Sequence, residues 1–227
     1  MEITREELDK LLDEKYKCGY EDGKLQAANK NEHAFVDLGL PSGLLWATCN
    51  VGASSPEEYG VYFAWGETTP KKKYEWENYR HCNGDYNKRT KYCNDAELGE
   101  NGFTDDLTEL EPCDDAATVN WGKNWRMPTM KDFQELKDNC KWTKKKDGYE
   151  IEGKNQKKIF LPAAGYCNDE RIIDAGSDGN YWTRSLEVGH KGFRYPCYFY
   201  FVPYNNDFRN YSPCHGRSVR PVCSITK

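Results

Sequence analysis

The 227-residue chain has no long hydrophobic run. Nothing approaches the roughly 18 apolar residues of a bilayer-crossing helix, and mean hydropathy is −0.96, so no membrane insertion is expected. The opening Met1-Glu2-Ile3-Thr4-Arg5-Glu6-Glu7 lacks the apolar core of a secretory signal. Histidine is scarce, with four in all, and none of the ten cysteines forms a Cys-x-x-Cys pair. A zinc or iron–sulfur site is therefore not expected. Ten cysteines in this length are also too thin for a disulfide scaffold. Free, mostly buried thiols in a reducing compartment are the expectation, with release by lysis the other route. Basic charge is not in excess, at 32 Lys and Arg against 37 Asp and Glu, so no nucleic-acid partner is expected. No internal repeat of about 20–50 residues is visible.

What is abundant is aromatic surface: 16 Tyr, 9 Phe and 7 Trp, or 14% of the chain. Charge is unevenly placed. Residues 180–227 hold 7 basic and 2 acidic groups, whereas residues 33–179 hold 19 basic and 26 acidic. A basic end on an acidic body steers acidic partners or pairs with the body's own acids.

Residues 4–18 predict a helix. Thr4 and Glu7 form a capping-box pattern, and Leu8, Leu11, Leu12 and Tyr16 share one face. A helix this short is marginal alone and must dock. From Ala34 the pattern changes to short strands. Residues 35–47 read as two strands around Pro41-Ser42-Gly43, and residues 61–65 as another. Residues 66–120 show little periodicity and read as a long, partly ordered loop. Thr129 is an N-cap candidate, with Asp132 three residues on and Phe133, Leu136 and Cys140 at helical spacing. Short strands follow at 149–151, 159–166, 181–186, 198–202 and 218–223. Few helices and many short strands predict an α+β domain.

Six ordered blocks carry a resemblance. They are Val36-Asp37-Leu38-Gly39-Leu40-Pro41-Ser42-Gly43-Leu44-Leu45-Trp46-Ala47; Tyr62-Phe63-Ala64-Trp65-Gly66-Glu67-Thr68; Asp114-Asp115-Ala116-Ala117 with Trp121-Gly122 and Trp125-Arg126-Met127-Pro128-Thr129; Leu161-Pro162-Ala163-Ala164-Gly165-Tyr166; Tyr181-Trp182; and Gly216-Arg217-Ser218-Val219-Arg220-Pro221-Val222. In this order they resemble the FISUMP family of gut bacteria, which is similar to the formylglycine-generating-enzyme branch of the C-type lectin fold. The resemblance covers about residues 34–223. It implies an N-terminal helical segment at 1–33, for tethering or oligomerisation, and a C-type lectin-like ligand-binding domain at 34–227. That branch also supplies variable proteins of diversity-generating retroelements, including phage tropism determinants. In these, error-prone reverse transcription rewrites adenines in a segment just before the last strand, here about 181–215. The resemblance thus implies a protein or cell-surface ligand, and a cytoplasmic or phage-particle location. Self-association or assembly docking would run through residues 4–18.

The segment's own chemistry agrees with recognition. Residues 195–215 contain 5 Tyr, 3 Asn and 3 Phe, close to a paratope composition in which Tyr gives wide contact and Asn adaptable hydrogen bonds. The alternation of Tyr198 and Tyr200 with Phe199 and Phe201 predicts a strand with Phe buried and Tyr outward, or the reverse. Tyr204 to His215 reads as the loop that follows. The candidate contact residues are Arg184, Tyr198, Tyr200, Tyr204, Asn205, Asn206, Asp207, Phe208, Asn210, Tyr211 and His215.

Other chemistries match less well. The related oxidase uses a late cysteine pair, and here Cys214 and Cys223, with His215 beside the first, lack its spacing and neighbours. Calcium-dependent lectins use Glu-Pro-Asn and Trp-Asn-Asp motifs. This chain has Glu111-Pro112-Cys113, and Asn206-Asp207 without the Trp. The pairs Asp105-Asp106 and Asp114-Asp115 offer the oxygens calcium prefers, but solvated acidic loops are commoner. No cofactor is expected, with structural calcium the alternative. Trp46, Trp65, Trp121, Trp125 and Trp182 fall inside the family blocks and are expected in the core. Lys144-Lys145-Lys146 reads as a solvated face. No enzyme activity is expected. A bacterial adhesin without codon variation, or a sulfatase-modifying oxidase, are the alternative classes.

Overall fold

The computed structural model describes residues 33–189 and 192–224. The expected helix at 4–18, and with it the docking role, lies outside them. In chain order the elements are β1 (Phe35–Asp37), β2 (Leu45–Ala47), α1 (Ala116–Trp121), β3 (Trp125–Arg126), α2 (Met130–Asn139), β4 (Lys141–Lys145), β5 (Gly148–Glu152), β6 (Lys158–Pro162), β7 (Tyr166–Asn168), β8 (Arg171–Ile173), β9 (Gly179–Val188), β10 (Arg194–Val202), β11 (Asn205–Asn210) and β12 (Val222–Cys223). The architecture is mixed, with sheet predominating over helix.

Among the described residues, three antiparallel sheets and a two-stranded ribbon carry it. One sheet runs β1-β2-β12-β3, one β11-β10-β9 and one β4-β5-β6, and β7 pairs β8. The last strand, β12, lies inside its sheet, paired with both β2 and β3. The β1–β2 connection turns at Leu40–Gly43, closed by Gly43 N–H donating to Leu40 O at 2.9 Å. Gly43 has φ +72°, a left-handed conformation that glycine adopts without Cβ strain.

Helix α2 forms where its caps predict. Thr129 Oγ1 accepts from Asp132 N–H, and Asp132 Oδ2 accepts from Thr129 N–H. This capping box satisfies two otherwise unpaired donors. Phe133 and Leu136 then point into the core, fully buried. Phe133 stacks on Phe199 of β10 at 4.7 Å between centroids. Phe199 and Phe201 are also fully buried, and they meet Trp46, Ile151, Leu161 and Tyr181. Gly179 on β9 lies opposite Phe201, and a Cβ there would come within 2.0 Å of that ring.

A second cluster gathers Trp65, Trp121, Trp125, Trp182 and Tyr198. All five tryptophans of the family blocks are buried, as expected. Two of them cross-link distant segments: Trp65 Nε1 donates to Thr183 O, and Trp182 Nε1 to Phe63 O. Buried indole N–H groups need such partners.

Several expectations are corrected. Residues 61–65 form only one bridge, Phe63 with Arg217. The strand expected at 218–223 shrinks to β12. Residues 66–120 are largely irregular, as expected, but α1 begins within them and side chains supply more order than a partly ordered loop implies. Side chains bonding backbone replace ladder bonds: Tyr79 Oη donates to Trp65 O, Tyr74 Oη to Tyr62 O, and Asp115 Oδ1 accepts from Ala117, Thr118 and Met127. Periodicity does not reveal order of this kind.

Candidate ligand-binding face

Strand β11 is the main surprise, because Tyr204–His215 reads as a loop. Asn205–Asn210 instead pairs antiparallel with Val202–Cys197 of β10, through a two-residue turn at Pro203-Tyr204. Asn and Asp disfavour strands on their own. Here the inward anchor decides: Phe208 packs on Phe199 at 5.5 Å. Exposure then alternates. Asn205, Asp207 and Arg209 are exposed, whereas Asn206, Phe208 and Asn210 are half-buried. Tyr204 at the tip is fully exposed, and Tyr211 just past the strand is 54% exposed. The free edge of β11 is blunted, since Asn206 O accepts from Lys137 Nζ and Phe208 N–H donates to Asp207 Oδ1.

The expected exposed row is therefore only partly exposed. Tyr198 is 6% exposed, against Trp182 and under the guanidinium of Arg217, so the outward-Tyr expectation fails there. Tyr200 is half-buried. Its hydroxyl donates to Asp178 Oδ2 at 3.0 Å, and the Arg209 guanidinium lies 4.0 Å above its ring. Burial, then the Asp178 carboxylate, pushes the Tyr200 phenol up to about 12. Arg184 is not a free contact residue. It donates to Leu110 O and pairs with Glu109 at 3.2 Å, so it holds the scaffold. Phe208 is core-facing for the reason given.

Behind this face lies Arg217, fully buried and boxed by rings. Its guanidinium carbon is 3.9 Å from the Tyr198 ring centre, 4.2 Å from Trp182, 5.5 Å from Tyr166 and 5.9 Å from Tyr211. Its Nε and Nη1 have no hydrogen-bond partner among the described residues. The π faces replace an acid as the partner of the charge. Burial brings its pKa down to about 10. His215 lies 5.1 Å from Tyr211 and 5.9 Å from Tyr166. Burial, then the charge of Arg217, brings its pKa down to about 4, so it is neutral at pH 7. The contrast is Arg220, which is also fully buried but donates to Asn50 Oδ1 and to the carbonyls of Ala47, Thr48 and Phe160. Among the described residues, the basic end thus pairs mainly with rings and carbonyls, and only Arg184 meets the body's acids as the charge pattern suggested.

Beside the hairpin tip is an open groove of about 500 Å³. It is lined by Lys137, Trp142, Lys144, Tyr149 and the tip residues Pro203 to Asn206. Lys144, expected on a solvated face, has a buried Nζ. Lys137, Trp142, Lys144, Arg209 and Arg217 were not legible as site residues. They are scattered from position 137 to 217: Lys137, Trp142 and Lys144 line the groove beside the hairpin tip, while Arg209 lies over Tyr200 and Arg217 over Tyr198.

The acidic pairs serve internal donors. Asp105 accepts from the backbone of Tyr92 and Leu107. Glu111, Cys113 and Asp114 offer ligand atoms within 4.8 Å of one another. The ammonium of Lys91 already bonds both Glu111 and Asp114, and Tyr92 Oη donates to Asp114 at 2.8 Å. The two late cysteines, which lack the oxidase spacing, also lie in different clusters, Cys214 with Tyr62 and Tyr74, and Cys223 with Trp125. Burial raises both thiols above their ordinary pKa, the direction opposite to activation.

Comparisons with protein families, with curated proteins and with solved structures gave no match.

Proposed function

We propose that this chain is a non-enzymatic ligand-binding protein with a C-type lectin-like domain, the variable protein of a diversity-generating retroelement in a gut bacterium or its phage. The observation that carries this reading is the division of the hairpin. Tyr204, Asn205, Asp207, Arg209 and Tyr211 stand in solvent, while Phe199, Phe201 and Phe208 anchor the same strands inside. A face of this kind can be rewritten without touching the core. Its Tyr, Asn and Arg content suits anchoring and adaptable contact with a protein or cell surface. Raised, separated thiols weigh against the oxidase alternative. The location that fits is cytoplasmic or phage-particle associated.

The test is genetic. The gene's surroundings should hold a reverse transcriptase and a near-copy of the 3′ end that differs mainly at adenines. Differences should fall on codons 204, 205, 207, 209 and 211 and spare 199, 201, 217 and 220. A gene without that template, or with differences spread evenly over buried and exposed codons, favours an undiversified adhesin.

A further inference from the structure

We infer that the groove beside the hairpin tip is a carboxylate subsite, which takes an Asp or Glu side chain of a protein ligand. This rests on the binding reading above and specifies its chemistry. The groove is lined by two lysines, Lys137 and Lys144, and by no acid. Neighbouring lysines on the same sheet are neutralised: Lys145 pairs with Glu150, and Lys158 with Glu150 and Glu152. Lys144 has no such partner among the described residues. Its Nζ lies over the Tyr149 ring at 5.4 Å, shielded from solvent and without a hydrogen-bond acceptor. A desolvated ammonium without an acceptor is costly, and its flexible stem lets it swing into the groove it lines. Lys137 has one acceptor, Asn206 O, and two donors to spare. The amides of Asn205 and Asn206 flank both. The unmet need here is for an anionic acceptor, and the groove opens beside Tyr204, where a docking protein surface would arrive. The Tyr149 ring face is taken by Lys144, which leaves it unavailable for stacking on a sugar and favours an acidic side chain.

The experiment follows the indole N–H resonance of Trp142, assigned by its loss in Trp142→Phe, in the full chain. The probes are capped tri-glutamate, capped tri-glutamine and glucuronate. Expected is a saturable shift with tri-glutamate that weakens as salt rises. Tri-glutamine should bind about tenfold more weakly. Lys144→Gln should lose the difference between the two peptides, and Lys144→Arg should keep it. Equal response to both peptides, an unchanged response in Lys144→Gln, or no saturable shift overturns the proposal. Tighter binding of glucuronate overturns the side-chain assignment in favour of an acidic sugar. No natural ligand is involved, so a negative result removes the subsite alone. The wider binding reading stands or falls on the gene comparison.

Discussion

On strand β11, Asn206, Phe208 and Asn210 turn toward the domain while Asn205, Asp207 and Arg209 stand in solvent. On its partner β10, Phe199 and Phe201 are fully buried. Buried and exposed positions are thus interleaved residue by residue along one hairpin, separated only by the two-residue period of a strand. The same contrast recurs in two buried arginines three positions apart. Arg220 fills every visible bond with backbone and Asn50, whereas Arg217 is held by ring faces. The first is a fastener of the scaffold. The second supports the tyrosines of the face.

Substitutions can break this division. Phe199→Ala should cost most, about 3–5 kcal/mol in denaturant unfolding, because it empties a well-packed site. Arg220→Met should cost about 3 kcal/mol, since several buried acceptors lose their donor together. Arg217→Met should change stability by no more than about 1 kcal/mol, because ring faces and the Tyr198 hydroxyl, not buried carbonyls, hold the guanidinium and an apolar side chain suits the box. A loss as large as that of Arg220→Met would mean that Arg217 is a fastener too. A pH effect sharpens the same point. Unfolded His215 takes its proton near 6.5, whereas folded His215 resists until about 4. The unfolded state therefore binds more protons between those values, and stability falls as pH drops through that window. Melting temperature at pH 5 should lie below that at pH 7, with a smaller gap in His215→Gln. Least of all, Tyr204→Ala, Asp207→Asn and Arg209→Ala should each stay within about 0.5 kcal/mol of the parent. A larger loss would place those side chains among the structural ones.

Much of the scaffold was legible. The Thr129 cap and the turn at Pro41-Ser42-Gly43 follow from local rules, and the burial of the five tryptophans was expected from their place in the resembling blocks. Strand β11 was hidden because its residue types signal a loop, and only the contact of Phe208 with Phe199 reveals the pairing. Residues 66–120 were hidden because Tyr and Asp side chains, not a ladder, supply their order. Of the candidate contacts, Tyr204, Asn205, Asp207 and Tyr211 are exposed. Tyr198 and Arg184 are not, because Arg217 and Glu109 reach them from positions distant in sequence. The lysine groove left no local signature.

The placement of β12 has a consequence for synthesis. Its two residues fill the gap between β2 and β3, so the ribosome must make everything from β1 through β12 before that sheet can close. A reading-frame error or early stop between β1 and β12, including in the codons of the exposed row, leaves that gap open. The sheet is therefore completed only when the reading frame holds from Phe35 through Cys223.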